Sequence, residues 1–212
     1  MRGFKFPIRA VVSTIRAIVI AIILCLFGYT VVAQSRSIVW PKELGRIRPA
    51  GVPGGQANAV AQFDTLEIED ILVEGQSIIM GQPFDASDDW LKHITIRLKN
   101  ISEQRFSFIQ VDLVFPQIRG KEAYWLPVFY PFTAEQRAQG FGPGEVVELT
   151  TWKDENILNR HLARIAEQAP LSTIMIAQIH SVLVILQDGS SRRSECIRTA
   201  NPQNACPHSS SP

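Results

Sequence analysis

Residues 94 to 115 read ITIRLKNISEQRFSFIQVDLVF. Ile94, Ile96 and Leu98 alternate with Thr95, Arg97 and Lys99, and Ile109, Val111, Leu113 and Phe115 alternate with Gln110, Asp112 and Val114. Successive strand residues point to opposite faces, so each run predicts a strand with an apolar face. Pro116 stops the second ladder because it has no amide hydrogen to donate. The polar segment Asn100 to Gln104 between the runs predicts an antiparallel hairpin or a short crossing between sheets.

The same patterning recurs on both sides. Leu66 with Ile68, and Ile71 with Val73, give two short alternating stretches, and further strands are expected over 124–130, 146–152 and 172–186. The last of these is expected to bend or break near Gln178 to His180. Asp188-Gly189 signals a hairpin turn that returns the chain through Arg192 to Ile197. One helix interrupts the strands: Asp154 caps it, Ile157, Leu158, His161, Leu162 and Ile165 recur at helical spacing, and Pro170 ends it. About seven strands, antiparallel turn chemistry and one inserted short helix predict a mainly β, antiparallel sandwich over 62–198.

The 94 to 115 stretch resembles the strand, Asn-x-Ser turn, strand unit of immunoglobulin-like domains in exported bacterial proteins. Pro143-Gly144-Glu145 before VVELTTW resembles the Pro-Gly turn that opens a later strand in such domains. Together these cover under a third of the chain that follows the leader. The resemblance implies an immunoglobulin-like β-sandwich and assigns no catalytic residue. The 154–168 helix and the missing disulfide between sheets depart from the antibody pattern.

At the amino end, Arg2, Lys5, Arg9 and Arg16 precede the uncharged run AIVIAIILCLFGYTVVA, Ala17 to Ala33. A basic lead, an apolar stretch and the small-x-small ending Val31-Val32-Ala33 predict an export signal cleaved before Gln34. As a helix the run would span roughly 25 Å, slightly short of a hydrocarbon core of about 30 Å, and Val11, Val12 and Ile15 could lengthen it into an uncleaved membrane anchor. Either way 1–33 is expected to form an N-terminal hydrophobic helix, with the folded domain periplasmic or extracellular. Residues 34–61, with Pro41, Pro49, Pro53 and the Gly51 to Gly55 cluster, read as a flexible linker, and 199–212 as a disordered tail. The whole chain carries a formal charge of +1, and loss of the four leader cations leaves −3. No clustered basic footprint of a nucleic-acid binder remains.

Export favours disulfides, so Cys196 and Cys206 predict one. With His208 they fall a ligand short of a closed zinc site. Asp85, Asp88 and Asp89 lack the alternate spacing of a calcium loop and read as a solvated turn. Gly140, Gly142 and Gly144 surround Pro143 and precede a strand, which reads as a turn with unusual dihedrals and not as a phosphate cradle. His93, His161, His180 and His208 show no metal-ligand spacing and no nucleophile elbow accompanies them, so no catalytic residue, metal or cofactor is assigned. Asn100-Ile101-Ser102 fits a glycosylation sequon.

The candidate recognition surface is AYWLPVFYPF, residues 123 to 132, where Tyr124, Trp125, Phe129 and Tyr130 belong to more aromatic area than one strand face buries. The expectation is a non-enzymatic cell-envelope module that binds a protein, peptide or glycan. An envelope hydrolase on the sandwich scaffold, using some of His93, His161 or His180 with a nearby carboxylate, or a structural assembly subunit, is the alternative.

Overall fold

In the computed structural model the described residues are 35–40, 63–118, 125–131, 133–194 and 196–205. All belong to the compact unit Gln34–Pro212. The expected leader helix over 1–33, residues 41–61 of the expected linker and 206–212 of the expected tail lie outside them. Among the described residues no helix is long and apolar enough to cross a membrane.

The strands are β1 (Ser35–Val39), β2 (Phe63–Val73), β3 (Gln76–Ser77), β4 (Phe84–Asp85), β5 (Ile94–Asn100), β6 (Phe106–Val114), β7 (Trp125–Tyr130), β8 (Val146–Thr150), β9 (Ile176–Leu186), β10 (Ser191–Ser194) and β11 (Ile197–Thr199). Two helices interrupt them, α1 (Ala134–Gln139) and α2 (Glu155–Ala166). The protein is mainly β, and its strands follow one path, β11-β2-β5-β8-β7-β6-β9-β1-β4, with β10 on β9 and β3 on β2. This path curls into a half-barrel and does not divide clearly into two facing sheets. Nor is it wholly antiparallel, because β1 runs parallel to β9 and β11 parallel to β2. These short strands reach their partners from across the molecule, without the tight hairpin that imposes antiparallel pairing.

β5 alternates buried and half-buried residues along its whole length, with Ile94, Ile96 and Leu98 facing the core. It does not pair with β6, since β8 and β7 lie between them, so 101–105 is a crossing and not a hairpin. Asn100 organises that crossing. It is fully buried, donates from Nδ2 to the Gln104 carbonyl (2.6 Å), and accepts at Oδ1 from the amide (3.0 Å) and hydroxyl (2.8 Å) of Ser102. The sequon asparagine is therefore spent on the fold.

Two irregularities reconcile the pattern with one core. Between Ile68 and Asp70 the β2–β5 register shifts, so Leu66 and Ile68 before it and Ile71 and Val73 after it all face inward. On β9, Asp112 pairs with Ser181 and Leu113 with Ile179, leaving His180 as the extra residue. A bulge of this kind restores inward orientation after a change of parity, so Ile179 and Val182 are both buried while β9 stays continuous through the expected break.

Helix α2 follows the expected cap, with Asp154 Oδ1 accepting from the amides of Asn156 (2.8 Å) and Ile157 (3.3 Å). Its buried stripe is Leu158, Leu162 and Ile165; Ile157 falls on the solvent side. Helix α1 has no apolar stripe to announce it. Thr133 and Gln136 form a capping box that supplies its start.

Parts of the segments read as linker and tail are ordered elements. β1 lies within the first, and Trp40 donates from Nε1 to the Asn204 carbonyl (2.7 Å) in the second. Asn204 also accepts at Oδ1 from the Met80 amide (2.7 Å), so β1, the 78–81 turn and the C-terminal segment are tied together. Cys196 is buried and disulfide-bonded; Cys206, its expected partner, lies outside the described residues.

Arg36 is 1% exposed. Its Nε donates to the Ala86 carbonyl (3.2 Å), Nη1 to the Ile174 carbonyl (3.2 Å) and Nη2 to Asp88 Oδ1 (2.7 Å), and the guanidinium stands 5.9 Å from the Trp90 ring centroid. Arg36→Ala should cost about 2–4 kcal/mol, because it removes the donor to the Ala86 carbonyl, leaves the Ile174 carbonyl with Trp90 alone and opens a cavity beside Trp90. Asp88→Asn should cost only about 1 kcal/mol, since that carboxylate is largely exposed and keeps a hydrogen bond. Denaturant unfolding of both variants tests the order; equal losses would contradict it.

Candidate functional site

β7 divides the predicted aromatic surface. Its alternation puts Leu126, Val128 and Tyr130 on the core side and Trp125, Pro127 and Phe129 on the outer side. Tyr130 pairs with the buried Ile109 and packs edge-on against Phe141, with ring centroids 5.9 Å apart at 89°. Phe141 in turn meets Phe106 at 5.4 Å. Tyr130 thus belongs to the rim of the core, and Tyr124 lies outside the described residues.

Phe129 instead joins a row that crosses strands. Phe108 on β6 lies 6.3 Å from Phe129, Phe129 lies 5.8 Å edge-on from Trp152, and Trp152 lies 4.7 Å from the ring of His161 on α2. Arg137 of α1 caps the Phe108 end at 5.1 Å. At the other end His161 Nε2 bonds the Trp125 carbonyl. A carbonyl oxygen can only accept, so Nε2 carries the proton there. The four rings are half-buried, whereas Trp125 is 39% exposed.

Two open clefts flank this row. The larger, about 430 Å³, lies between the 90–93 turn, the end of β8 and α2, and is lined by Asp89, Lys92, His93, Thr151, Trp152 and Glu155 among others. Asp89 is engaged by Lys92 at 3.0 Å, and His161 bonds the Trp125 carbonyl. The smaller, about 160 Å³, is lined by Ile157, Arg160, His161 and Arg164.

The remaining motifs have structural employment. Asp88 serves Arg36 and Asp89 serves Lys92, which disperses the acidic cluster, and among the described residues no group of metal-ligating side chains converges. Gly140 adopts φ 62° and ψ −169°, a region open essentially to glycine alone, and a Cβ there would lie 2.5 Å from the Phe106 carbonyl oxygen. Gly144 also has positive φ, 75°, with nothing within 4 Å of such a Cβ. In the β9–β10 turn, hydrogen bonds from the Ser190 hydroxyl and then its amide hold the Asp188 carboxyl below its usual range.

Trp152 and His161 are the residues that the sequence reading passes over as ligand contacts. The signal for Trp152 is its place at the end of an alternating strand, next to a helix cap. Comparison with protein-family models, curated proteins and solved structures finds no match to this chain. What the geometry defines is a mainly β half-barrel with an aromatic row on its outer face.

Two measurements follow. Gly140→Ala should destabilise by about 2–4 kcal/mol and Gly144→Ala by only about 1 kcal/mol, because steric overlap adds to dihedral strain at the first position alone; similar unfolding midpoints would contradict this. Of the four tryptophans, Trp40 and Trp90 are buried and Trp152 is half-buried, so Trp125→Phe should lower the acrylamide-quenchable fluorescence and leave the part that Trp152 contributes, whereas undiminished quenching would place Trp125 inside.

Proposed function

We propose that the protein is an exported, non-enzymatic cell-envelope module that recognises a macromolecular partner through the outer aromatic face. The carrying observation is the row Phe108, Phe129, Trp152 and His161 beside the exposed Trp125. Half-buried rings held by strands on both sides offer large contact area with little side-chain entropy left to lose. The export leader over 1–33 supports the envelope location, and the bonded state of Cys196 is compatible with an oxidising compartment. In fold terms the proposal keeps the immunoglobulin-like sandwich as the parent architecture: β2 and β5 share one apolar core with β6 and β9, although the path between them is unbroken.

The full chain, produced with its own leader and an affinity tag, should capture one or a few envelope components. Trp125→Ala should lose them while keeping its far-ultraviolet circular dichroism. Equal capture by both proteins would sink the outer-face reading.

A further inference from the structure

Helix α2 carries a second asset that the aromatic row does not use. Ile157, Arg160, His161 and Arg164 fall at helical spacings of three and four, so they share one face and line the smaller cleft. Arg160 donates from Nε to the Asn156 carbonyl (3.3 Å), and neither arginine makes an ion pair among the described residues. Among the described residues no carboxylate lines the cleft. The other charged groups of the helix and its caps are Asp154, which accepts from the Asn156 and Ile157 amides, Glu155, in the larger cleft, and Glu167, at the C-terminal cap. Ile157 is 37% exposed, and with Trp125 it makes two of the four large apolar side chains that stand out from the described surface. His161 joins this cationic face to Trp125 through its bond to the carbonyl there.

Resting on the recognition role proposed above, we infer that this face binds an acidic linear peptide, one carboxylate held by Arg160 and Arg164 and a neighbouring apolar side chain seated on Trp125 and Ile157. Charge complementarity selects the carboxylate: two guanidinium groups one turn apart, with no ion-pair partner among the described residues, present paired donors to an anion. A peptide fits better than a membrane surface. Stable interfacial binding needs a broad protruding apolar face, and here only two apolar side chains protrude while the rings of Phe129 and Trp152 lie half-buried, within reach of a side chain and not of a bilayer.

The test is selection from a random linear twelve-residue peptide library against the full chain, followed by affinity measurement on wild type, Arg160→Gln/Arg164→Gln and Trp125→Ala. Glutamine preserves helix propensity at both exposed positions. Recovered peptides should be enriched in Asp or Glu beside an apolar residue, should weaken as salt rises, and should bind the double variant at least about tenfold less tightly. Peptides without acidic enrichment that lose binding only in Trp125→Ala would overturn the anionic assignment while leaving the aromatic face in place. Recovery of no peptide, with the chain instead sedimenting on equimolar phosphatidylcholine–phosphatidylglycerol vesicles, would replace the peptide with a membrane. Recovery of no peptide and no sedimentation would overturn this inference, while the reading it rests on stands or falls with the capture comparison of wild type and Trp125→Ala.

Discussion

A guanidinium withdrawn from water is tolerated only when its donors are occupied, and that requirement fixes one end of this fold. Arg36 reaches the Ala86 carbonyl, the Ile174 carbonyl and the Asp88 carboxylate from a site that is 1% exposed. Trp90 donates to the same Ile174 carbonyl at 3.1 Å. Three segments far apart in sequence therefore have a single mutual arrangement. Once β1 is held there, its parallel pairing with β9 and the Gly81 amide bond to the Ile38 carbonyl follow, and an edge of the curled sheet is set. The Trp40 and Asn204 bonds complete the attachment from the C-terminal side.

The curl explains why the outer face is available. Bending one sheet around a single core gives the inward residues of β2, β5, β6, β8 and β9 a common apolar interior, so the opposite face need not be covered. Single apolar side chains scattered over a surface are ordinary, whereas a contiguous exposed patch marks an interaction site or an aggregation hazard. Here the row is half-buried, its rings packed on one another between Arg137 at one end and His161 at the other. Strands and a packed helix give such a surface fixed geometry, which lowers the entropic cost of binding.

Much of the strand content is legible from residues 94 to 115 and their neighbours because alternation is a local signal. The α2 cap is legible for the same reason: Asp154 acts on amides two and three residues away. The bulges are only half legible. The change of phase between Ile68 and Ile71 is visible as two short runs, but a single residue inserted into one strand and two separate strands look alike until the partner strand is known. The thirteen prolines and thirteen glycines of the chain likewise mark turns without saying which segment a turn delivers to which edge. In the site, aromatic density singles out Trp125 and Phe129. Their partners Trp152 and His161 come from other elements, and Tyr130 belongs inside because the neighbouring Ile109 faces inward.

The sequence by itself determined the mainly β character, the capped helix over 155–166 and the crowding of rings near Trp125, since each depends on interactions within a few residues. Only the tertiary structure decided that Asp88 answers Arg36, that β5 and β6 are separated by two strands, and that Phe108, Phe129, Trp152 and His161 stand in one row. Those outcomes follow from pairing register and the burial of a charge. Both are set by contacts between residues tens of positions apart, which local patterning constrains weakly.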